Sequence, residues 1–230
     1  MGKDNIVWRF ERKFFINDML REEVEMELRK HSSFFYPIYH ERHINNIYLD
    51  SIGFKNYFDN VDGKAQRLKY RIRWYGDLFG YIAKPVLELK IKEGLLGRKR
   101  SFVLKPFTLD KNFTYDMLLD AARGADLPED IMEEMLSFRP ALLNRYRRKY
   151  FQEITERFRV TIDDNLNFYK IDNHHNTFAN HTEDKESLIV ELKYDEDHDE
   201  QATEISHAFS FRMTKSSKYV SGVDYIYRTL

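Results

Sequence analysis

The segment QRLKYRIRWYG, residues 66–76, alternates Arg67, Lys69, Arg71 and Arg73 with Leu68, Tyr70, Ile72 and Trp74. An extended chain puts the four cations on one side, roughly 6.6 Å apart. Each neighbouring pair there repels by about 2 kcal/mol at an effective dielectric near 20. Screening on a solvated edge strand is one relief for that repulsion; a bound polyanion is the other. The alternation recurs. Arg9, Glu11 and Lys13 lie opposite Trp8, Phe10 and Phe14, and Glu88, Lys90 and Lys92 opposite Leu87, Leu89 and Ile91. Arg159, Thr161 and Asp163 lie opposite Val160 and Ile162, and Glu191 and Lys193 opposite Val190, Leu192 and Tyr194. In ALLNRYRRKYF the pattern is mixed, with Arg145, Arg147 and Lys149 on one face and Asn144, Tyr146 and Arg148 on the other. An ordinary wet sheet face would mix Thr, Ser, Gln, Lys and Glu. This face is dominated by Arg and Lys, which predicts an enclosed polyanion site. Phosphate suits it, because Arg forks bind it bidentately and charge-assisted bonds are about twice as strong as neutral ones. Glu11, Glu88 and Glu191 are the acids counted on this lining. Such a carboxylate either neutralises cations or, with phosphate oxygens, holds Mg²⁺ or Mn²⁺; Glu191 is assigned to the metal.

The elements that must position these groups follow from period and punctuation. A strand is expected over 6–16, then a helix to about His31 capped by Asn17 or Asp18. Strands are expected over 43–51, 66–75, 86–92 and 98–104, the last two joined by the hairpin-type EGLLG, with a helical turn near GFKNYF. Helices are expected from Thr108 or Asp110 to Gly124 and through LPEDIMEEMLSF. Strands resume in ALLNRYRRKYFQE, RFRVTIDDNLNFY and SLIVELKYD, and a last helix covers 200–212. About eight strands without repeat or linker predict one β-dominated α+β domain over 1–230, an antiparallel sheet or barrel. A closed barrel can keep a polar inner face around a ligand, with helices on its apolar outside.

Composition sets the outer bounds. In 230 residues there is no cysteine, which excludes disulfide frameworks and thiolate metal sites or nucleophiles. The net charge is −1 although 33% of residues are charged, so the signs are segregated: acids gather in REEVEME, PEDIMEEM and YDEDHDE. A nucleic-acid binder would carry its positive charge over a whole surface, and Tyr70 and Trp74 face away from the cations, whereas a base-stacking platform needs both together. No leader-like or membrane-spanning apolar run is evident, so a cytoplasmic protein is expected. His174, His175 and His181 fit no zinc spacing and read as a solvated loop.

The segments RFERKFFI, IYLDS, RLKYRIRWYG, LELKIKEG, KRSF, NRYRRKYF, RVTIDDNL, VELKYD and SKYVSG occur in this order across the chain. Together they resemble the VTC domain, the polyphosphate polymerase domain within the triphosphate tunnel, or CYTH, superfamily. The resemblance implies an eight-stranded antiparallel tunnel that transfers the γ-phosphoryl group of ATP to a polyphosphate chain with Mn²⁺ or Mg²⁺. It implies catalytic roles for Arg71, Arg73, Lys90, Arg148 and Arg159, phosphate contacts from Lys13 and Tyr146, and Glu191 as metal ligand. Ser217 and Lys218 would grip phosphates at the tunnel mouth, with Glu11, Lys69, Glu88 and Lys193 completing the substrate lining. Lys99 or Arg100 would add a contact that parity does not separate; Arg100 is carried forward. Triphosphatases and cyclases of the superfamily begin with E-x-E-x-K, where this chain has Arg9-Phe10-Glu11-Arg12-Lys13. One carboxylate fewer disfavours two-metal hydrolysis. The alternatives are a triphosphatase or nucleotidyl cyclase in the same tunnel, and a non-catalytic sensor of polyphosphate or inositol polyphosphates. ATP and polyphosphate are the expected partners, without nucleic acid or membrane insertion; a membrane-protein partner that threads the polymer is left open.

Overall fold

The computed structural model describes residues 9–94 and 96–227. Trp8 and the start of the first expected strand, and Leu95 of EGLLG, lie outside the described residues. In chain order the elements are β1 (Phe10–Ile16), α1 (Arg21–Lys30), β2 (Tyr36–Pro37), β3 (Arg42–Asp50), α2 (Lys55–Val61), β4 (Gln66–Tyr75) and β5 (Gly80–Ile82). Then come β6 (Val86–Glu93), β7 (Leu96–Val103), β8 (Phe107–Leu109), α3 (Tyr115–Arg123), α4 (Glu129–Ser137), β9 (Arg139–Gln152) and β10 (Arg159–Tyr169). The chain ends with β11 (His181–Asp184), β12 (Leu188–Tyr194), α5 (Asp199–His207) and α6 (Lys218–Tyr227). The protein is thus β-dominated α+β.

The large sheet is antiparallel, in the order β1-β12-β10-β9-β3-β4-β6-β7, with β11 added beside β10 and β2 beside β9. Its two end strands meet once: the Arg9 N–H donates to the Gly97 carbonyl at 3.0 Å, and the Gly97 N–H to that of Arg9 at 3.1 Å. Apolar residues of alternate parity bury the outer face. Tyr70, Ile72 and Trp74 of β4 pack with Leu87 and Leu89 of β6 beneath Leu118 and Ala122 of α3 and Ile131 and Met135 of α4. On the other flank Phe14, Val190 and Val160 pack beneath Val24 and Leu28 of α1 and Ile205 of α5.

Helix α6 departs from the expectation that all helices lie outside. Its Tyr219, Val223 and Ile226 pack on Tyr48, Leu142, Leu166, Phe168 and Ile189, which share strand parity with the cationic face. A β-bulge makes this geometry. The β9–β10 register shifts between Asp164 and Asn167, where Asn165 adopts φ 47°. The extra residue reverses the alternation, so Asp163 points inward, Asp164 outward, and Leu166 and Phe168 inward again to meet α6. Gly222 lets the helix approach, since a Cβ there would fall 2.4 Å from Leu142 Cδ2 and 2.5 Å from Phe168 Cδ1.

Three boundaries differ from the sequence reading. The last expected helix, 200–212, ends as α5 at His207, beyond which Phe209 and Phe211 turn into the core beside Phe14. Phe107–Leu109 pairs with Gly80–Ile82, so the helix expected from Thr108 begins only at Tyr115. Helix α1 starts after Leu20, whose N–H donates to Glu23 Oε2 at 2.6 Å; neither Asn17 nor Asp18 caps it.

Candidate active site

The inward faces of β1, β4, β6, β9 and β12 and the first turn of α6 surround a cavity of about 410 Å³. Three buried carboxylate centres organise its cations. Glu88, on β6, accepts from Arg71 Nε at 2.7 Å and from Lys99 Nζ at 2.6 Å, and lies 3.6 Å from Arg73 Nη1. Burial alone would raise its pKa; Arg71, Arg73 and Lys99 instead hold it well below the usual carboxylate range. β4 and β6 place Arg71 directly opposite Glu88, so the pair follows from strand register.

The second centre joins β1 to β12, where Lys13 lies opposite Glu191 and Glu11 opposite Lys193. Lys13 Nζ is 3.5 Å from both carboxylates, and Lys193 Nζ is 3.3 Å from Glu11 and 3.1 Å from Glu191. Lys90 Nζ donates to Glu11 at 2.9 Å. Its pKa is pushed down to about 8 by burial, which Glu11 only partly offsets.

The third centre is Asp163, fully buried and held by both arms of the Arg148 guanidinium at 2.5 Å and by Lys218 Nζ at 2.5 Å. Arg148 also reaches Glu191 at 3.4 Å, and Lys218 lies 3.7 Å from it, which ties this centre to the second. The Tyr146 ring lies under both cations, 5.3 Å from the Arg148 guanidinium and 4.9 Å from Lys218 Nζ. Its hydroxyl accepts from Arg73 Nη2 at 3.3 Å. Burial would raise the phenol, but Arg148 and Arg73 hold its pKa below the usual value.

Arg73 is positioned by buried amides: its Nε donates to Asn46 Oδ1 at 3.0 Å, and Asn46 Nδ2 donates to Asn144 Oδ1 at 2.8 Å. Lys69 has no carboxylate within ion-pair distance among the described residues. It donates to Ser217 Oγ at 2.9 Å. Burial first, then Lys13, Lys90, Arg67 and Arg71, depress its pKa well below that of an ordinary lysine. Ser217 precedes the first residue of α6 and accepts from the Val220 N–H at 3.4 Å, so the motif SKYVSG delivers Ser217 and Lys218 as the start of a helix.

The structure therefore gathers Glu11, Lys13, Lys69, Arg71, Arg73, Lys90, Tyr146, Arg148, Glu191, Lys193, Ser217 and Lys218 around one cavity, with Glu88 behind Arg71 and Arg73. It does not bring in Arg159 or Arg100. Arg159 shares the inward parity of Asp163 but stands exposed at the strand end, 3.4 Å from Gln152 Oε1. Arg100 lies opposite Leu89 on the outer face, with its guanidinium over Phe102, while Lys99, opposite Lys90, takes the inward place. The sequence reading gives Asp163 no role and does not single out Tyr48, which lines the cavity. The parity of Asp163 with Thr161 already put it on the cationic face.

Among the described residues no group of three or more His, Asp or Glu side chains could cage an ion. Mg²⁺ and Mn²⁺, however, are commonly bound by one or two carboxylates together with substrate phosphates. Glu191 and Glu11, bridged by shared lysines, suit an ion that arrives with its phosphate.

Comparison with known proteins agrees with this architecture. The fold is similar to that of a candidate adenylate cyclase from Vibrio parahaemolyticus, at 11% identity and TM-score 0.50, covering 92% of this chain and 98% of that one. It is also similar to a candidate adenylyl cyclase from Hippeastrum described as having a dominant triphosphatase activity, at 10% identity and TM-score 0.55, covering 94% of each chain. No curated protein sequence matches the chain. Among the described residues no helix is long and apolar enough to cross a membrane. The family model of the VTC domain matches residues 8–227, and the chain belongs to that family.

Proposed function

We propose that this chain is a polyphosphate polymerase that moves the γ-phosphoryl group of cytoplasmic ATP onto the end of a polyphosphate chain. The observation that carries this is the excess of cations over carboxylates along the cavity, with Arg9 rather than a carboxylate at its rim. The Arg9–Gly97 bridge supports closure of the eight-strand path into a tunnel, where an elongated anion would sit shielded from bulk water.

In the reaction a terminal oxygen of the acceptor chain forms a bond to the γ-phosphorus, and the bond from that phosphorus to the β–γ bridging oxygen breaks. The electron pair leaves with ADP. The acceptor oxygen is already ionised near neutral pH, so no general base is needed. Arg71 and Arg73 bind the transferring group's equatorial oxygens, where charge is spread in the transition state. Arg148 and Lys218 hold neighbouring phosphates, and Lys13, Lys90 and Lys193 align the acceptor. A divalent ion held by Glu191 with Glu11 would neutralise phosphate charge and act as a Lewis acid. Glu88 fixes the forks of Arg71 and Arg73 before substrate arrives, which reduces the reorganisation needed at the moment of transfer.

The triphosphatase activity described for the Hippeastrum protein favours a second reading, hydrolysis of a triphosphate in the same cavity. Incubation of purified protein with ATP and Mn²⁺ or Mg²⁺, followed by a polyphosphate-stained gel, separates the two. A ladder absent from Glu191→Gln is expected; inorganic phosphate released from triphosphate without polymer overturns the polymerase reading.

A further inference from the structure

We propose that Tyr75, Tyr150 and Arg42, clustered beside the cavity at the end of the inner face away from α6, form a nucleobase subsite; this rests on the nucleotide-donor reading above. The interior has two unlike ends. Along β3 the inward residues run from Tyr48, which stacks on Tyr219 of α6 at 5.0 Å, through Asn46 and Ile44 to Arg42. Arg42 is opposite Arg148 across the β3–β9 pair. It therefore shares a side with the guanidinium that grips Asp163, one strand away.

The surroundings of Arg42 differ from those of the cavity cations. Among the described residues it has no carboxylate within ion-pair distance. Three tyrosine rings hold it instead, with centroids 5.0 Å (Tyr39), 5.7 Å (Tyr150) and 5.8 Å (Tyr75) from the guanidinium carbon. The cluster is continuous with the phosphate site, because the Tyr150 ring is also 5.9 Å from the Arg148 guanidinium. It is also open to solvent: Tyr39 is 49% and Tyr75 52% exposed. The segment carrying Tyr39 is tied to β9 by the Ile38 N–H, which donates to the Tyr150 carbonyl at 3.2 Å.

Aromatic rings beside an arginine, on the same face as the phosphate ligands, are what base stacking needs. The triphosphate would lie among Arg71, Arg73 and Arg148 with the base projecting over Tyr75 and Arg42. Stacking on a π-face is tolerant of base identity, so the subsite recognises that a base is present more than which base it is.

Calorimetric titration with ATP and with inorganic triphosphate, on wild type, Tyr75→Ala and Tyr75→Phe, tests this without requiring turnover. Wild type is expected to bind ATP more tightly than inorganic triphosphate. Tyr75→Ala should weaken ATP by about tenfold and leave inorganic triphosphate unchanged, while Tyr75→Phe, which keeps the ring, should retain ATP affinity. Equal affinity of wild type for the two ligands overturns the proposal, as does an unchanged ATP affinity in Tyr75→Ala or a parallel loss of both ligands. A protein that shows the expected binding but forms no polymer sinks the polymerase reading and leaves the base subsite standing.

Discussion

The outer face of β9 and the inner lining of the sheet both carry cations, and the two sets live differently. On the outer face Arg147 meets Asp164 at 2.7 Å and Glu41 at 3.1 Å, and Lys149 meets Glu25 at 2.5 Å. Arg21 of α1 completes that network by pairing with Glu25, Asp164 and Glu41. These three cations face three carboxylates; Arg145, on the same face opposite Asn45 and Asn167, has no carboxylate within ion-pair distance among the described residues. On the inner side the match fails: Glu88 alone serves Arg71, Arg73 and Lys99, and Lys69 has only a hydroxyl. Taking charge out of water is costly unless it is compensated. A fold that leaves the inner set under-compensated is arranged to receive an anion, whereas Arg21, Arg147 and Lys149 already have their carboxylates. Residue type alone does not separate a structural arginine from a ligand-binding one; whether it faces the cation-rich cavity does.

The largest expected effect lies on the inner side. Arg71→Ala removes a guanidinium that would bear transition-state charge, and the rate of polymer formation should fall by about 10³-fold. A rate within tenfold of wild type, read as chain growth on gels, would remove Arg71 from the site. Next is Asp163→Ala. This substitution leaves Arg148 and Lys218 buried without their shared carboxylate, beside the cations of the second centre. Loss of one partner from a buried ion pair costs about 3–5 kcal/mol, so denaturant unfolding should show a decrease of that order. Added inorganic triphosphate should restore part of it by binding the folded state.

The inner set was largely legible in sequence because strand parity is strict. β4 occurs over residues 66–75 as its alternation implied, and Arg71, Arg73, Lys90, Arg148 and Glu191 fall around one cavity. What parity could not supply was long-range register. Glu93 lies opposite Leu96 across the β6–β7 turn, which sets Lys99 rather than Arg100 beside Lys90. The bulge at Asn165 leaves no obvious mark in RVTIDDNLNFY, yet it decides that Asp163 and Asp164 serve opposite faces. Nor did KYVSGVDYIY announce a helix: β-branched and aromatic residues and Gly222 are indifferent helix formers. Tertiary packing of Tyr219, Val223 and Ile226 overrides that propensity. Arg159 shows the limit of parity, which assigns a face but not a depth along it.

A pH series extends the comparison at lower amplitude. Folded Glu88 titrates well below its ordinary value of 4.5 because Arg71, Arg73 and Lys99 outweigh its burial. Its ionised form therefore contributes stability that is fully present above the ordinary carboxylate range and is lost as pH falls below it. Glu88→Gln should be less stable than wild type at neutral pH, and the gap should narrow on acidification. A gap that widens toward low pH would mean that Glu88 is not compensated as the geometry indicates.

The smallest effect belongs to the outer face, and it makes the comparison decisive. Arg147 is 33% exposed, and its partner Asp164 keeps Arg21 at 2.9 Å when Arg147 is truncated. Partly solvated pairs of this kind contribute about 0–1 kcal/mol, so Arg147→Ala should unfold within about 1 kcal/mol of wild type. Its affinity for inorganic triphosphate should be unchanged. Arg147 and Arg148 are adjacent in sequence and identical in chemistry, so composition and net charge predict equal losses from either truncation. If Arg147→Ala weakened triphosphate binding as Arg71→Ala does, diffuse positive charge would account for binding, and the distinction between the paired Arg147 outside and the under-compensated interior would fall.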